Sequence, residues 1–267
     1  MNQPTYLDHL AGFDIVRLFE DWLESGSWYI CPETKKIRIR KHMIDHHRHW
    51  IYTNPNPNLH CGFYMDGVFM HLNFIHSMCM ECWKVVVKMN SVVQLFKIYE
   101  WQKNFTQNDM GKDRFCKCGI EQRHYTNYNY GAYFYNRGIE QGKLRHAQVF
   151  KAMQELFGKD NVSSVPGSVG QGKVEVILKR YCTEFELKLG PTDKYERPAA
   201  ADEMEKALNE AFLLEKFCPG QPDFLLRHIQ FKWLEHAWMR GDQTAKLFNN
   251  GEPFYTPVVT YHNQEDK

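Results

Sequence analysis

Eight cysteines and thirteen histidines make this chain rich in side chains that bind metals or act as nucleophiles. Two close pairs stand out: Cys79 and Cys82 in Cys79-Met80-Glu81-Cys82, and Cys116 and Cys118 in Cys116-Lys117-Cys118-Gly119. A short loop carrying two thiols delivers both to one ion, and two such loops complete a tetrahedral site. Gly119 lets the backbone turn tightly after the second pair, whereas Trp83 follows the first. The second pair is C-x-C rather than C-x-x-C, and 33 residues lie between Cys82 and Cys116, more than in the commonest zinc ribbons. The spacing predicts a metal centre of Cys79, Cys82, Cys116 and Cys118, with structural zinc ahead of an iron–sulfur cluster. The competing reading is reduced thiols packed in a core. Cys61, 18 residues before Cys79, can replace one ligand. Cys218-Pro219 has the ending of a ferredoxin cluster motif without the rest of it, and Cys31 reads as a packing residue.

A second grouping mixes thiol, carboxylate and guanidinium. Cys182 and Glu184 follow Arg180, and Glu121 and Arg123 follow Cys118. Cations beside a thiol lower its pKa and raise its reactivity. Glu121 or Glu184 can donate a proton while Arg180 or Arg123 clamps an anion, which outlines an iron–sulfur or thiol-dependent enzyme acting on a small anionic substrate. Surface ion pairing around a core thiol is the plainer reading.

The third grouping is basic and aromatic. Residues 35–50 hold Lys35, Lys36, Arg38, Arg40, Lys41 and Arg48 against Asp45, a local net charge of +5, with Trp50 and Tyr52 beside them. Arg123, His124, Tyr125, Tyr128, Tyr130, Tyr133 and Tyr135 form another such run. Charge and stacking together can track a single nucleic-acid strand, which makes single-stranded nucleic acid the candidate partner. Tyr130–Tyr135 departs from the RNP1 octamer, however, and strand tyrosines are commonly half-buried packing residues.

Other patterns are weaker. His42-Met43-Ile44-Asp45-His46 puts two histidines at helical spacing but lacks a helix start and a third ligand. Gly167 to Lys173 fits the G-x-x-x-x-G-K frame of a phosphate loop, yet Val174 follows where Ser or Thr is needed, and a strand follows where a helix is needed. It reads as a hairpin connection. No nucleophile elbow, dinucleotide fingerprint or Ser-His-Asp arrangement is present.

The elements that must carry these groups are legible from periodicity. Ile15, Leu18, Phe19, Trp22 and Leu23 form a helical stripe with Asp14 as cap and Gly26 as stop. Lys35 to Lys41 alternates as a strand with a basic face, and Trp83 to Lys88 is β-rich. Ser91-Val92-Val93-Gln94 has the form of a capping box opening a helix to about Lys103. Gly131–Tyr135, a helix over 139–157, a weak strand over 161–165 and a strong strand over 173–181 give strand–helix–strand–strand. That order predicts an α+β fold with a ferredoxin-like central layer, an N-terminal helix and a helical C-terminal third. Helices begin near Asp202 and Pro222 in that third. A division into 1–125, holding the basic strand and cysteine-rich region, and 126–267, the α+β core with C-terminal helices, fits the pattern.

Composition bounds the rest. The chain has 267 residues, 43% of them hydrophobic and 24% charged, and a net charge of +1, so nucleic acid or an anionic membrane must be met by a local patch. No apolar run approaches the ~18 residues of a membrane span. The first residues show neither the basic cap nor the apolar stretch of an export signal, which predicts a cytoplasmic protein with reduced thiols. The combined expectation is a cytoplasmic thiolate metal-binding protein.

Overall fold

The computed structural model describes residues 14–25, 28–39, 49–54, 61–108, 115–214 and 221–253. Among them run α1 (Ile15–Ser25), β1 (Trp28–Ile30), β2 (Lys36–Ile39), β3 (Trp50–Asn54), a π-helix (Phe63–Leu72), α2 (Ser77–Met80), β4 (Cys82–Met89) and α3 (Val92–Asn108). These are followed by β5 (Cys116–Ile120), β6 (Tyr130–Arg137), α4 (Ile139–Phe157), β7 (Val162–Ser163), β8 (Val174–Arg180), α5 (Thr183–Leu189), α6 (Ala199–Ala211), β9 (Leu213–Leu214) and α7 (Asp223–Met239). The fold is mixed α+β.

Six strands form the main sheet in the order β3-β5-β6-β4-β8-β7. Neighbours are antiparallel except β7 and β8, which run parallel. Two parallel strands cannot share a hairpin. The Gly167–Lys173 stretch is therefore a crossover containing a 3₁₀ turn, Ser168–Gln171, rather than the expected hairpin connection.

Side-chain alternation gives the sheet two unlike faces. Val85, Val87 and Met89 of β4, Cys116, Cys118 and Ile120 of β5, Tyr130, Ala132 and Phe134 of β6, and Val174 and Val176 of β8 are buried in one core. The helices α3, α4 and α7 cover that face, through Leu95 and Ile98, Val149 and Met153, and Ile229 and Trp233 respectively. Gly142 lets α4 lie close, since a Cβ there would come within 2.9 Å of Leu178 Cδ1.

A second core joins α1, the small β1-β2-β9 sheet, the π-helix and α6 through Phe19, Leu23, Ile37, Phe63, Val68 and Leu208. The α1 stripe is as expected, and Asp14 Oδ1 accepts from Val16 N at 3.0 Å and Arg17 N at 3.2 Å. Gly67 permits the crossing of the π-helix with α1, because a Cβ would stand 2.7 Å from Trp22. Both cores draw on segments from either side of residue 125.

The capping box at Ser91 does not form. Ser91 Oγ pairs with Thr244 Oγ1 at 2.9 Å, and Asp242 Oδ2 accepts from Val92 N at 2.6 Å, so a distant carboxylate caps α3. Residues 40–48, which hold His42, His46 and half of the basic run (Arg40, Lys41 and Arg48), lie outside the described residues, as do Gly26 and Cys218. Among the described residues no helix is long and apolar enough to cross a membrane.

Candidate functional site

The face of the sheet away from α3, α4 and α7 carries the polar side chains. Cys82, Lys84, Val86 and Lys88 alternate onto it from β4, Lys117 from β5, Tyr133 and Tyr135 from β6, and Lys179 from β8. At one end of this face the chain brings thiols together. Cys82 opens β4, and Cys79 precedes it on α2, whose first turn is capped by His76 Nδ1 accepting from Met78 N at 3.1 Å. Cys182 follows β8 at the same sheet end, where Tyr181, in the left-handed region at φ 60°, donates its N–H to Cys82 O at 3.1 Å. Cys61 lies two residues before the π-helix.

Cys61, Cys79, Cys82 and Cys182 line one cavity of about 20 Å³, walled by Tyr64, Met65 and Phe185. Each of the six pairs among these sulfurs is near enough to interact electrostatically. Burial pushes the Cys61 and Cys79 thiols well above their ordinary value, and neighbouring sulfurs push them further. Burial likewise pushes Cys82 up to about 11, with Lys84 opposing and Cys182 adding to the rise. Cys61, Cys79, Cys82 and Cys182 are all free thiols. As the side chains stand, no group of three or more His, Cys, Asp or Glu among the described residues has metal-holding geometry.

Two buried ammonium groups adjoin this cluster. Lys84 Nζ donates to Cys182 Sγ at 3.3 Å. Burial disfavours the Lys84 charge, but the Cys182 and Cys82 sulfurs outweigh it and hold its pKa above the ordinary lysine value. Lys117 stands 4.4 Å from the centre of the Trp50 ring and 5.4 Å from that of Tyr133. Burial lowers its pKa to about 8, with Cys61 working the other way. Neither lysine forms a salt bridge with a carboxylate among the described residues.

The expected set Cys79, Cys82, Cys116 and Cys118 is divided by the sheet. Cys79 and Cys82 belong to the cavity, whereas Cys116 and Cys118 point into the helix-covered core, both fully buried. The reason is strand geometry: in C-x-C on a strand the two thiols share one face, and the middle residue, Lys117, takes the other. Gly119 serves strand packing instead of a sulfur-facing turn, because a Cβ there would collide with the carbonyl oxygen of His49, the residue before β3.

Of the acid–base grouping, Glu121, Arg123 and Glu184 do meet. Arg123 Nε donates to Glu121 Oε1 at 2.7 Å, and its Nη1 donates to Glu184 Oε1 at 3.0 Å. Tyr133 OH adds a bond to Glu121 Oε2 at 2.8 Å, and Tyr125 OH one to Glu184 Oε1 at 2.9 Å. Burial raises both carboxyl pKa values, but these donors outweigh it and hold them below the ordinary value. Arg180 is not part of this network. It lies over the Tyr181 ring and donates to Met80 O at 3.2 Å. Cys182 is bonded to Lys84 instead.

Lys84 was absent from the sequence-derived site, although Cys82-Trp83-Lys84 in a strand puts the ammonium on the thiol's own face. The chain matches no family model, no curated protein and no solved structure.

Proposed function

We propose that the chain is a thiolate metal-binding protein in which Cys61, Cys79, Cys82 and Cys182 hold one zinc ion. The observation that carries this reading is the convergence of four thiols from three separate segments on one small cavity. Charge supports it. Four thiolates around Zn²⁺ leave a net charge of −2, which matches the two ammonium groups of Lys84 and Lys117. Without such an anion, neither ammonium has a carboxylate salt-bridge partner among the described residues, a costly arrangement for charges withdrawn from water. Size favours zinc over an iron–sulfur cluster, since about 20 Å³ is close to the room for one water-sized sphere. Metal–sulfur distances of about 2.3 Å would require the four thiols to draw together around the ion.

The ion would be structural. It would clamp Cys61 and α2 to the ends of β4 and β8, and so fasten the π-helix layer to the main sheet. We also read the run β4-α3-β5-β6-α4-β8 as ferredoxin-like; the spatial order β5-β6-β4-β8, antiparallel throughout, supports that description. Elemental analysis of anaerobically purified full chain tests the metal. About one zinc per chain and a colourless solution are expected. A brown, iron-containing protein would replace zinc by iron–sulfur, and metal-free protein that refuses zinc would end the reading.

A second reading rests on the Lys84–Cys182 contact. An ammonium beside a thiol activates it as a nucleophile, which makes Cys182 the residue of a thiol-dependent enzyme. Fast alkylation of Cys182 alone in protein that binds no zinc would favour it.

A further inference from the structure

Lys84 on β4 and Lys179 on β8 are direct cross-strand partners on the same face of the sheet. Opposed like charges weaken an antiparallel pair, so this position carries a local conflict with the fold. Lys88 stands on the same face four residues along β4, 5.4 Å from the centre of the Tyr128 ring. Arg123 reaches in from the loop after β5. Between these four cations lies a pocket of about 200 Å³ with Tyr125, Tyr128 and Thr126 in its wall and no carboxylate among its lining residues.

The acids that pair with three of these cations lie outside the pocket. Glu175 pairs with Lys88 at 2.6 Å, Glu186 with Lys179, and Glu121 and Glu184 with Arg123. A lysine ammonium has three donors, so each of these lysines keeps N–H groups for an acceptor in the pocket. The pocket is smaller than the roughly 300–1,000 Å³ that encloses a whole small-molecule ligand. It suits one oxyanion group whose remainder lies elsewhere. A second, polar cavity of about 520 Å³ shares Arg123, Thr126, Asn127 and Tyr128 with it and extends to His124, Asn129 and Arg240.

We propose that the inner pocket takes the phosphate group of a nucleotide, with its nucleoside in the outer cavity or against the Tyr125 and Tyr128 rings. The chemistry is common to a free mononucleotide and to a phosphodiester of a single strand. Lysine and arginine supply charge-assisted hydrogen bonds to phosphate oxygens, and tyrosine rings stack on bases without regard to sequence. The bound anion relieves the Lys84–Lys179 opposition. This site does not depend on the metal, although Lys84 borders both.

The test uses the full chain at low ionic strength, where phosphate attraction is strongest. Calorimetry follows a nucleoside monophosphate and inorganic phosphate, and fluorescence anisotropy follows a labelled oligodeoxythymidine. Binding of the nucleotide or the oligonucleotide is expected. Lys179→Gln should weaken it roughly tenfold or more with little change in Tm, because loss of the pair with Glu186 offsets the relief of the opposition to Lys84. A structural role alone would lower Tm. Lys97→Gln, on the exposed side of α3, should leave binding within about twofold. Tighter binding of the oligonucleotide assigns a single strand as the source, and the reverse assigns the free nucleotide. Absence of binding, binding of inorganic phosphate with no gain from the nucleoside, or equal weakening by both substitutions overturns the proposal.

Discussion

Lys84 Nζ and Cys182 Sγ lie 3.3 Å apart, joining the first half of β4 to the residues after β8. The contact couples charge to thiol chemistry, because Lys84 also lowers the pKa of Cys82 against the larger effect of burial. Metal ligands must lose their protons, so zinc binding releases protons and strengthens with pH. With Cys82 pushed up to about 11, zinc affinity should climb through the whole range from about pH 6 to about pH 9. Lys84→Gln should displace that curve to higher pH. Competition with a chelator, read as a function of pH, checks both statements.

Lys117→Met should act in opposite directions on two properties. In zinc-free protein it replaces a buried cation by an apolar chain of similar length between Trp50 and Tyr133, and should stabilise by about 1 kcal/mol or more near neutral pH. The sign with pH follows from a folded-state pKa of about 8 against ~10.4 for an unfolded lysine. Between those values the unfolded chain binds the extra proton, so wild-type stability gains with pH relative to the variant, and the variant's advantage fades. The same substitution should weaken zinc binding. Denaturant titrations at several pH values and a chelator assay measure the two effects.

Asp242→Ala removes the acceptor of Val92 N, and with it the bond from Tyr130 OH at 3.2 Å. The loss of a helix cap and of a tyrosine partner should cost about 1–3 kcal/mol. Asp242→Asn should recover part of it. Urea midpoints of the two variants decide this.

Met153→Ala should cost roughly 2–5 kcal/mol, since Met153 is fully buried against the sheet. Lys151→Ala, on the exposed side of α4, should cost under about 0.5 kcal/mol. Comparable losses at both positions would contradict the packing of α4.

Local patterns were readable where one face of one element decides the outcome. The α1 stripe, the 139–157 helix between Gly138 and Gly158, and the Val174-Val176-Leu178 alternation all depend on burial of a single face, and all appear at the expected positions. Features decided by partners distant in sequence were not readable. Ser91 lost its capping role to Asp242, 151 residues further on, and nothing near Ser91 announces that carboxylate. Which way the paired thiols face was not readable either. Cys116-Lys117-Cys118 is a metal-loop pattern only if the segment is a loop, and pairing with β3 and β6 makes it a strand whose thiols enter the core. Cys61 and Cys182, 121 residues apart, meet only because the π-helix segment folds over the end of β8.

The most direct measurement is the zinc content of single cysteine variants after equal purification. Cys61→Ser and Cys182→Ser should fall well below the wild type and lose thermal stability, because metal binding is part of the folding free energy. Cys116→Ser and Cys118→Ser alter the core on the other face; they should be destabilised yet keep about one zinc per folded chain. Zinc retained by the Cys61 and Cys182 variants but lost from those at Cys116 and Cys118 would contradict the four-thiol cavity as the metal centre.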